Sequence, residues 1–214
     1  MPVSIKTALK RLVREKYCLS EGYLGYVAYT QNYLQGVEDI ATNFFMNYFM
    51  TAFHNGYIIS SLNAYTGPDP DDQTSHEVLQ KYEWYTTYLS QKKLVTIYDD
   101  SISLEESIKL YDDFDLLKKY NVIPLNEIEL IDIAAVTMAS MTIYSIHGHL
   151  LFYFPKFDLI IATHDNIGFI LVDVSKGKQK SHYFGLNFLK QAGKIEHFKY
   201  YLNEPYQEEA STID

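Results

Sequence analysis

The chain has 214 residues, 47% hydrophobic and 21% charged, with 18 Lys and Arg against 27 Asp and Glu for a formal net charge of −9 at pH 7. Such a composition belongs to a globular protein and excludes a disordered chain, while the net negative charge repels phosphate and excludes nucleic-acid binding as a main function. A single cysteine, Cys18, excludes an intrachain disulfide and fits a reduced, cytoplasmic setting.

At the N-terminus, Lys6, Lys10, Arg11, Arg14 and Lys16 interrupt the place where an export signal needs its apolar stretch, so no export is expected. Ile5, Leu9, Leu12 and Val13 predict a first helix over 4–17, with the basic residues on its other side. A second helix is predicted from Ser20 or Glu21 to about Gln35, stopped by Gly36. In a third, Val37, Ile40, Ala41, Phe44, Phe45, Tyr48, Phe49 and Ala52 recur at helical spacing until Asn55-Gly56 ends it. The long uncharged stretches 40–68 and 133–155 do not read as membrane spans. Asn43, Asn47, His54 and Asn55 in one, and Ser140, Ser145, His147 and His149 in the other, are too costly in hydrocarbon.

Gly67-Pro-Asp-Pro-Asp-Asp-Gln73 is loop, since two prolines and three acids in seven residues forbid regular structure. Thr74-Ser-His-Glu77 has capping-box spacing for a helix through Trp84 to about Gln91, and Ser103-Leu-Glu-Glu106 repeats that signal for a helix to about Tyr120. Leu94–Tyr98 reads as a short strand or a buried link, and whether 57–62 adds a strand is open. From Met141 the period changes: Met141–Ile146, Leu150–Phe154, Leu159–Thr163 and Phe169–Val174 are short apolar runs separated by turn residues, which predicts an antiparallel β-meander. Both alternations within 150–154 and 169–172 are apolar, so both faces of the sheet should be covered. After the loop 175–180 a last helix is expected from about Ser181, broken near Gly193, to about Asn203.

The order argues α+β: one domain over 1–204, with an N-terminal helical part (1–120) packed on a C-terminal antiparallel meander and closing helix (121–204), then a flexible tail (205–214).

The charge is not evenly spread. Residues 68–132 hold 15 acidic against 6 basic side chains, while the other 149 residues hold 12 of each. On a helical wheel Glu105, Glu106, Asp112 and Asp113 share a sector of about 120°, opposite Leu104, Ile108, Tyr111 and Phe114, with Lys109 among them. The bland reading is a solvated helix face. In the functional one this face, with Asp99-Asp100 and the acids of the 67–73 loop, steers a basic partner.

Histidines offer the other candidates. His147-Gly-His149 has two imidazoles at strand spacing, but a turn glycine lies between them and no further ligands accompany them, so turn histidines are expected rather than a metal site. His164-Asp165 pairs a base with an acid, yet neighbours on a strand point to opposite faces, and Asp165-Asn-Ile-Gly168 reads as a turn. Phe154-Pro-Lys-Phe-Asp158-Leu-Ile-Ile161 resembles a hairpin of serine penicillin-recognising enzymes. Those enzymes need a Lys-Thr-Gly strand that this chain lacks, and its Ser-x-x-Lys matches at Ser90 and Ser175 lie at a helix end and in a loop, so the relationship is set aside.

The sequence therefore predicts a cytoplasmic, non-catalytic protein without a cofactor that binds a basic protein, in concrete form a bacterial immunity-type inhibitor of a toxin such as a nuclease. Trp84, Tyr85 and Tyr88 are the expected aromatic anchors, ringed by Asp99, Asp100, Glu105, Glu106, Asp112 and Asp113. The alternative is a small enzyme with His147, His149 or His164 at the meander turns.

Overall fold

A computed structural model of the chain describes residues 4–12, 17–32, 34–65, 86–98, 120–142, 146–175 and 180–207. Seven strands form one sheet: β1 (Tyr23–Tyr29), β2 (Tyr57–Ser60), β5 (Asn121–Pro124), β7 (Leu150–Phe154), β8 (Leu159–His164), β9 (Gly168–Asp173) and β10 (Phe198–Leu202). Their order is β10-β1-β9-β8-β7-β2-β5, and every neighbouring pair is antiparallel. A smaller sheet joins β3 (Asn63–Tyr65), parallel to β4 (Thr96–Tyr98) and antiparallel to β6 (Ile146–His147).

The meander β7-β8-β9 stands where the apolar runs predict it, because short turns leave antiparallel pairing as the only way to satisfy the backbone of those segments. Its two faces are covered differently. On one lie α2 (Val37–Phe49), α3 (Leu130–Thr142) and α4 (Lys180–Ala192), which bury Phe45, Phe49, Val136, Leu186 and Phe188 against Phe152, Phe154, Ile161, Phe169 and Leu171. Phe49 stacks on Phe154 at 4.8 Å and Phe45 meets Phe152 at 4.7 Å, so α2 is the central helix its sequence describes. On the other face the short α1 (Ile5–Leu9), capped by the Ser4 side chain, covers Leu151, Tyr153, Ile160 and Val172 with Ala8 and Leu9. The fold is α+β, with helices packed on an antiparallel sheet and a helix near the C-terminal end.

Several elements differ from their sequence reading. The expected helix over 20–35 is instead β1, inserted between β9 and β10. Its residues are buried on both faces, which hides the alternation that marks a half-exposed strand. The last helix ends at Ala192, and 198–202 is the strand β10, whose Phe-Lys-Tyr-Tyr-Leu composition suits a pleated edge. Met141 and Thr142 close α3 rather than open a strand, and α3 itself, apolar on nearly every side, shows no clean helical stripe. Only Ile5–Leu9 of the first predicted helix is α-helical among the described residues. Residues 57–60 do add a strand, β2, and 96–98 pair in the smaller sheet. The helix predicted over 103–120 lies outside the described residues but for its last position. Of the helix predicted from Thr74, residues 86–91 are described and are helical. No helix among the described residues is long and apolar enough to cross a membrane.

Candidate functional site

Strand register assembles an aromatic rim on the α1-covered face, beyond the reach of α1. His164 lies opposite Gly168, Gly168 opposite Ala28, and Tyr26 opposite Tyr201. Because Gly168 puts no side chain between them, the His164 and Tyr26 rings meet across β9 at 5.1 Å, nearly parallel at 19°. Tyr201 stacks on Tyr26 at 4.6 Å and 20°, which completes a row of three rings. Burial raises the Tyr26 phenol above its ordinary 10.0, and the neighbouring Tyr201 adds to the shift.

His164 has a defined chemical state. Its Nδ1 accepts a hydrogen bond from the Asn166 backbone N–H at 3.0 Å, which places the ring proton on Nε2. Burial lowers its pKa below 6.5, with the Asp165 carboxylate opposing, so the imidazole is neutral at pH 7. A ring whose Nδ1 lone pair is occupied and whose Nε2 carries hydrogen has no free site for taking a proton from a substrate. The β7–β8 pairing ends at Leu151↔Ala162, and His149, just before β7, and His164, the last residue of β8, lie beyond it at the same end of the pair. The His149 Nδ1 is within 2.6 Å of the Tyr17 hydroxyl, and the two rings meet edge to face. His147 is in β6 opposite Asn63. Two of the three sequence-identified histidines therefore lie at one end of the sheet.

Beside this rim opens a cavity of about 710 Å³ lined by Tyr26, Ala28, Tyr29, Thr30, Gln31, Met141, Thr142, Asp165, Asn166, Ile167 and Tyr201. The β8–β9 turn forms one wall. At its tip Ile167 has φ +48°, a conformation that a β-branched residue rarely adopts. It is held there from two directions: the Tyr29 N–H reaches the carbonyls of Asn166 and Ile167 at 3.0 and 3.2 Å, and the Ile167 side chain is buried. A backbone kept in so unfavourable a region marks a place where the surroundings dictate geometry.

Two further polar groupings are internal. Asp132, buried in the first turn of α3, accepts a hydrogen bond from the Tyr88 hydroxyl and pairs with the Lys92 ammonium at 3.2 Å. Asp132 raises the pKa of both partners, chiefly through its hydrogen bonds to them. Tyr88, an expected anchor for a partner, thus ties helical residues 86–91 to α3. Asp173 and His182, both buried, approach to 4.0 Å, and Asp173 also accepts the Ser175 N–H at 2.6 Å. That cluster ties β9 to α4. Among the described residues no three His, Cys, Asp or Glu side chains gather as a metal-binding group.

The other expected partner-binding residues, Trp84, Tyr85, Asp99, Asp100, Glu105, Glu106, Asp112 and Asp113, lie outside the described residues. What the structure fixes is where their segments leave the frame. β3 and β4 are parallel and in register, with Tyr65 opposite Tyr98. Segments 66–85 and 99–119 therefore depart side by side from the same end of the small sheet. Together they carry 12 acidic and 4 basic side chains, whereas the described residues carry 11 and 10. Sequence reasoning missed Tyr26 and Tyr201 because it read β1 and β10 as helix, and it placed Asn166 in a turn without giving it a role. The aromatic-rich runs Tyr-Leu-Gly-Tyr and Phe-Lys-Tyr-Tyr were the available signal. In comparisons with protein-family models, with curated proteins and with solved structures, nothing matches this chain.

Proposed function

We propose that this chain is a non-catalytic interaction protein that binds and neutralises a basic protein, in the manner of an immunity protein that covers the active site of a toxin such as a nuclease. One observation carries the reading: the described residues are nearly neutral, and the two strongly acidic stretches of the sequence, 66–85 and 99–119, each follow directly on one of two register-paired residues, Tyr65 and Tyr98. Charge gathered in this way acts at long range, raising the rate of encounter with a cationic surface and fixing its orientation. The occupied Nδ1 of His164 supports the same reading from the other side, since the best-placed histidine is not free to act as a base.

The test is capture from the source lysate on the immobilised chain at low and high salt. A basic protein retained at low salt and released at high salt is expected. A variant with Asn at Asp99, Asp100, Asp112 and Asp113 and Gln at Glu105 and Glu106 should lose it. A retained partner indifferent to both salt and these substitutions would sink the reading. A second reading, a small enzyme with its site at the meander turns, draws on His149 and His164 lying at the same end of the β7–β8 pair. It requires that Ala at His147, His149 and His164 abolish an activity found by substrate screening.

A further inference from the structure

The cavity beside the aromatic rim has a chemistry that the acidic segments do not explain. Its walls combine the rings of Tyr26, Tyr29 and Tyr201, the amides of Gln31 and Asn166, the hydroxyls of Thr30 and Thr142, and one carboxylate, Asp165. Among the described residues no Lys or Arg lines it. Lys199 is paired in register with Ala28 but is not part of the wall. Asp165 is exposed and holds no ion pair among the described residues. Tyr201, 46% exposed on the edge strand, has the Tyr26 ring against one face and, among the described residues, no ring against the other. A volume of about 710 Å³ falls within the range of pockets that enclose a ligand.

We propose that this cavity receives the guanidinium of an arginine side chain presented by the protein partner, with Asp165 as its counter-charge and Tyr201 as its stacking surface. The assignment of the arginine to a protein rests on the reading of the chain as a binder of a basic partner. A carboxylate and electron-rich rings around one opening attract a cation, and an anion meets only repulsion there. Arginine fits better than lysine because its flat fork can meet a carboxylate edge-on with two hydrogen bonds while lying against a ring.

The experiment titrates the whole chain, by NMR, with N-acetyl-arginine methylamide and with its citrulline counterpart, which keeps the shape and loses the charge. Expected are saturable shifts at Asp165, Asn166 and Tyr201 with the arginine probe and at least tenfold weaker binding of the citrulline probe. Asp165→Asn and, separately, Tyr201→Leu should each weaken the arginine probe about tenfold. Glu204→Gln, an exposed charge outside the cavity wall, should leave it unchanged. Equal binding of both probes overturns the proposal, as does an unchanged affinity in Asp165→Asn or an equal loss in Glu204→Gln. The two readings fail separately. If neutralising the acidic segments abolishes capture of a basic protein and Asp165→Asn does not affect it, the cavity plays no part in the interface and the proposal falls alone. If the probe binds as stated while no basic protein is ever retained, the partner reading falls and the cation site stands.

Discussion

Protonating His164 costs the fold a hydrogen bond, because its Nδ1 accepts from the Asn166 N–H and an imidazolium has no lone pair to offer. Burial adds to that cost and puts the native pKa below 6.5, its value in an unfolded chain. Above 6.5 both states are neutral at this ring and it contributes no pH dependence. As pH falls through 6.5 the unfolded chain binds a proton first, so stability drops until pH passes the native pKa and then levels off. The gap between the urea midpoints of the parent chain and of His164→Gln should stay constant with pH well above 6.5 and change only as pH falls below it. An NMR titration of His164 with a midpoint above 6.5 would contradict this. Asp132 makes a second residue-scale prediction. Asp132→Ala removes the carboxylate that the Tyr88 hydroxyl and the Lys92 ammonium both meet and should lower the urea midpoint measurably. The drop is smaller than for a fully enclosed pair, since Lys92 is 41% exposed and screened by water. Asp132→Asn keeps an acceptor and should cost less. Neither role was legible in the sequence, where Asp132 counts as one more charge of the acidic segment. Its position between Ile131 and Ile133 was the only hint of burial.

Elements whose pattern is local were legible, and those set by distant partners were not. The three meander strands stand within a residue of their predicted bounds and α2 begins where expected, though it gives way at Met50 to a 3-10 helix that runs to the predicted stop at Asn55, because a stripe of Phe and Tyr or a run of apolar residues between turns needs little outside information. β1 and β10 are strands because the sheet supplies edges for them. Tyr23–Tyr29 finds β9 on one side and β10 on the other, and no count of periodicity within seven residues contains that. The clue was Gly25, at φ +147° where the register shifts between Tyr23 and Gly25. A Cβ there would fall on the Tyr201 carbonyl oxygen, so Gly25→Ala meets both a forbidden backbone conformation and a backbone clash. A loss of more than about 1 kcal/mol is expected in urea denaturation. Amide exchange should speed up first in β1 and β10. Loss spread evenly over the sheet would place the strain elsewhere.

At the scale of the whole molecule, frame and charge are separate. The described residues are almost balanced, and the excess sits in 66–85 and 99–119. On the proposed reading these carboxylates serve a partner and not the fold, so neutralising Asp99, Asp100, Glu105, Glu106, Asp112 and Asp113 should leave the unfolding free energy from urea denaturation within about 0.5 kcal/mol of the parent. By stopped flow the same variant should associate with a captured basic partner about tenfold more slowly at low ionic strength, a gap that closes as salt is added. The sequence carried this asymmetry in plain view but could not say that the two segments start together, which depends on the parallel pairing of β3 with β4. The position of β1 has a consequence of another kind. Both of its neighbours come from late in the chain, β9 from 168–173 and β10 from 198–202. A growing polypeptide thus emerges from the ribosome with an apolar, hydrogen-bond-hungry ribbon that finds its first mate only when 168–173 follow and its second only with 198–202, and a product cut short before residue 198 would leave one edge of that ribbon open to self-association.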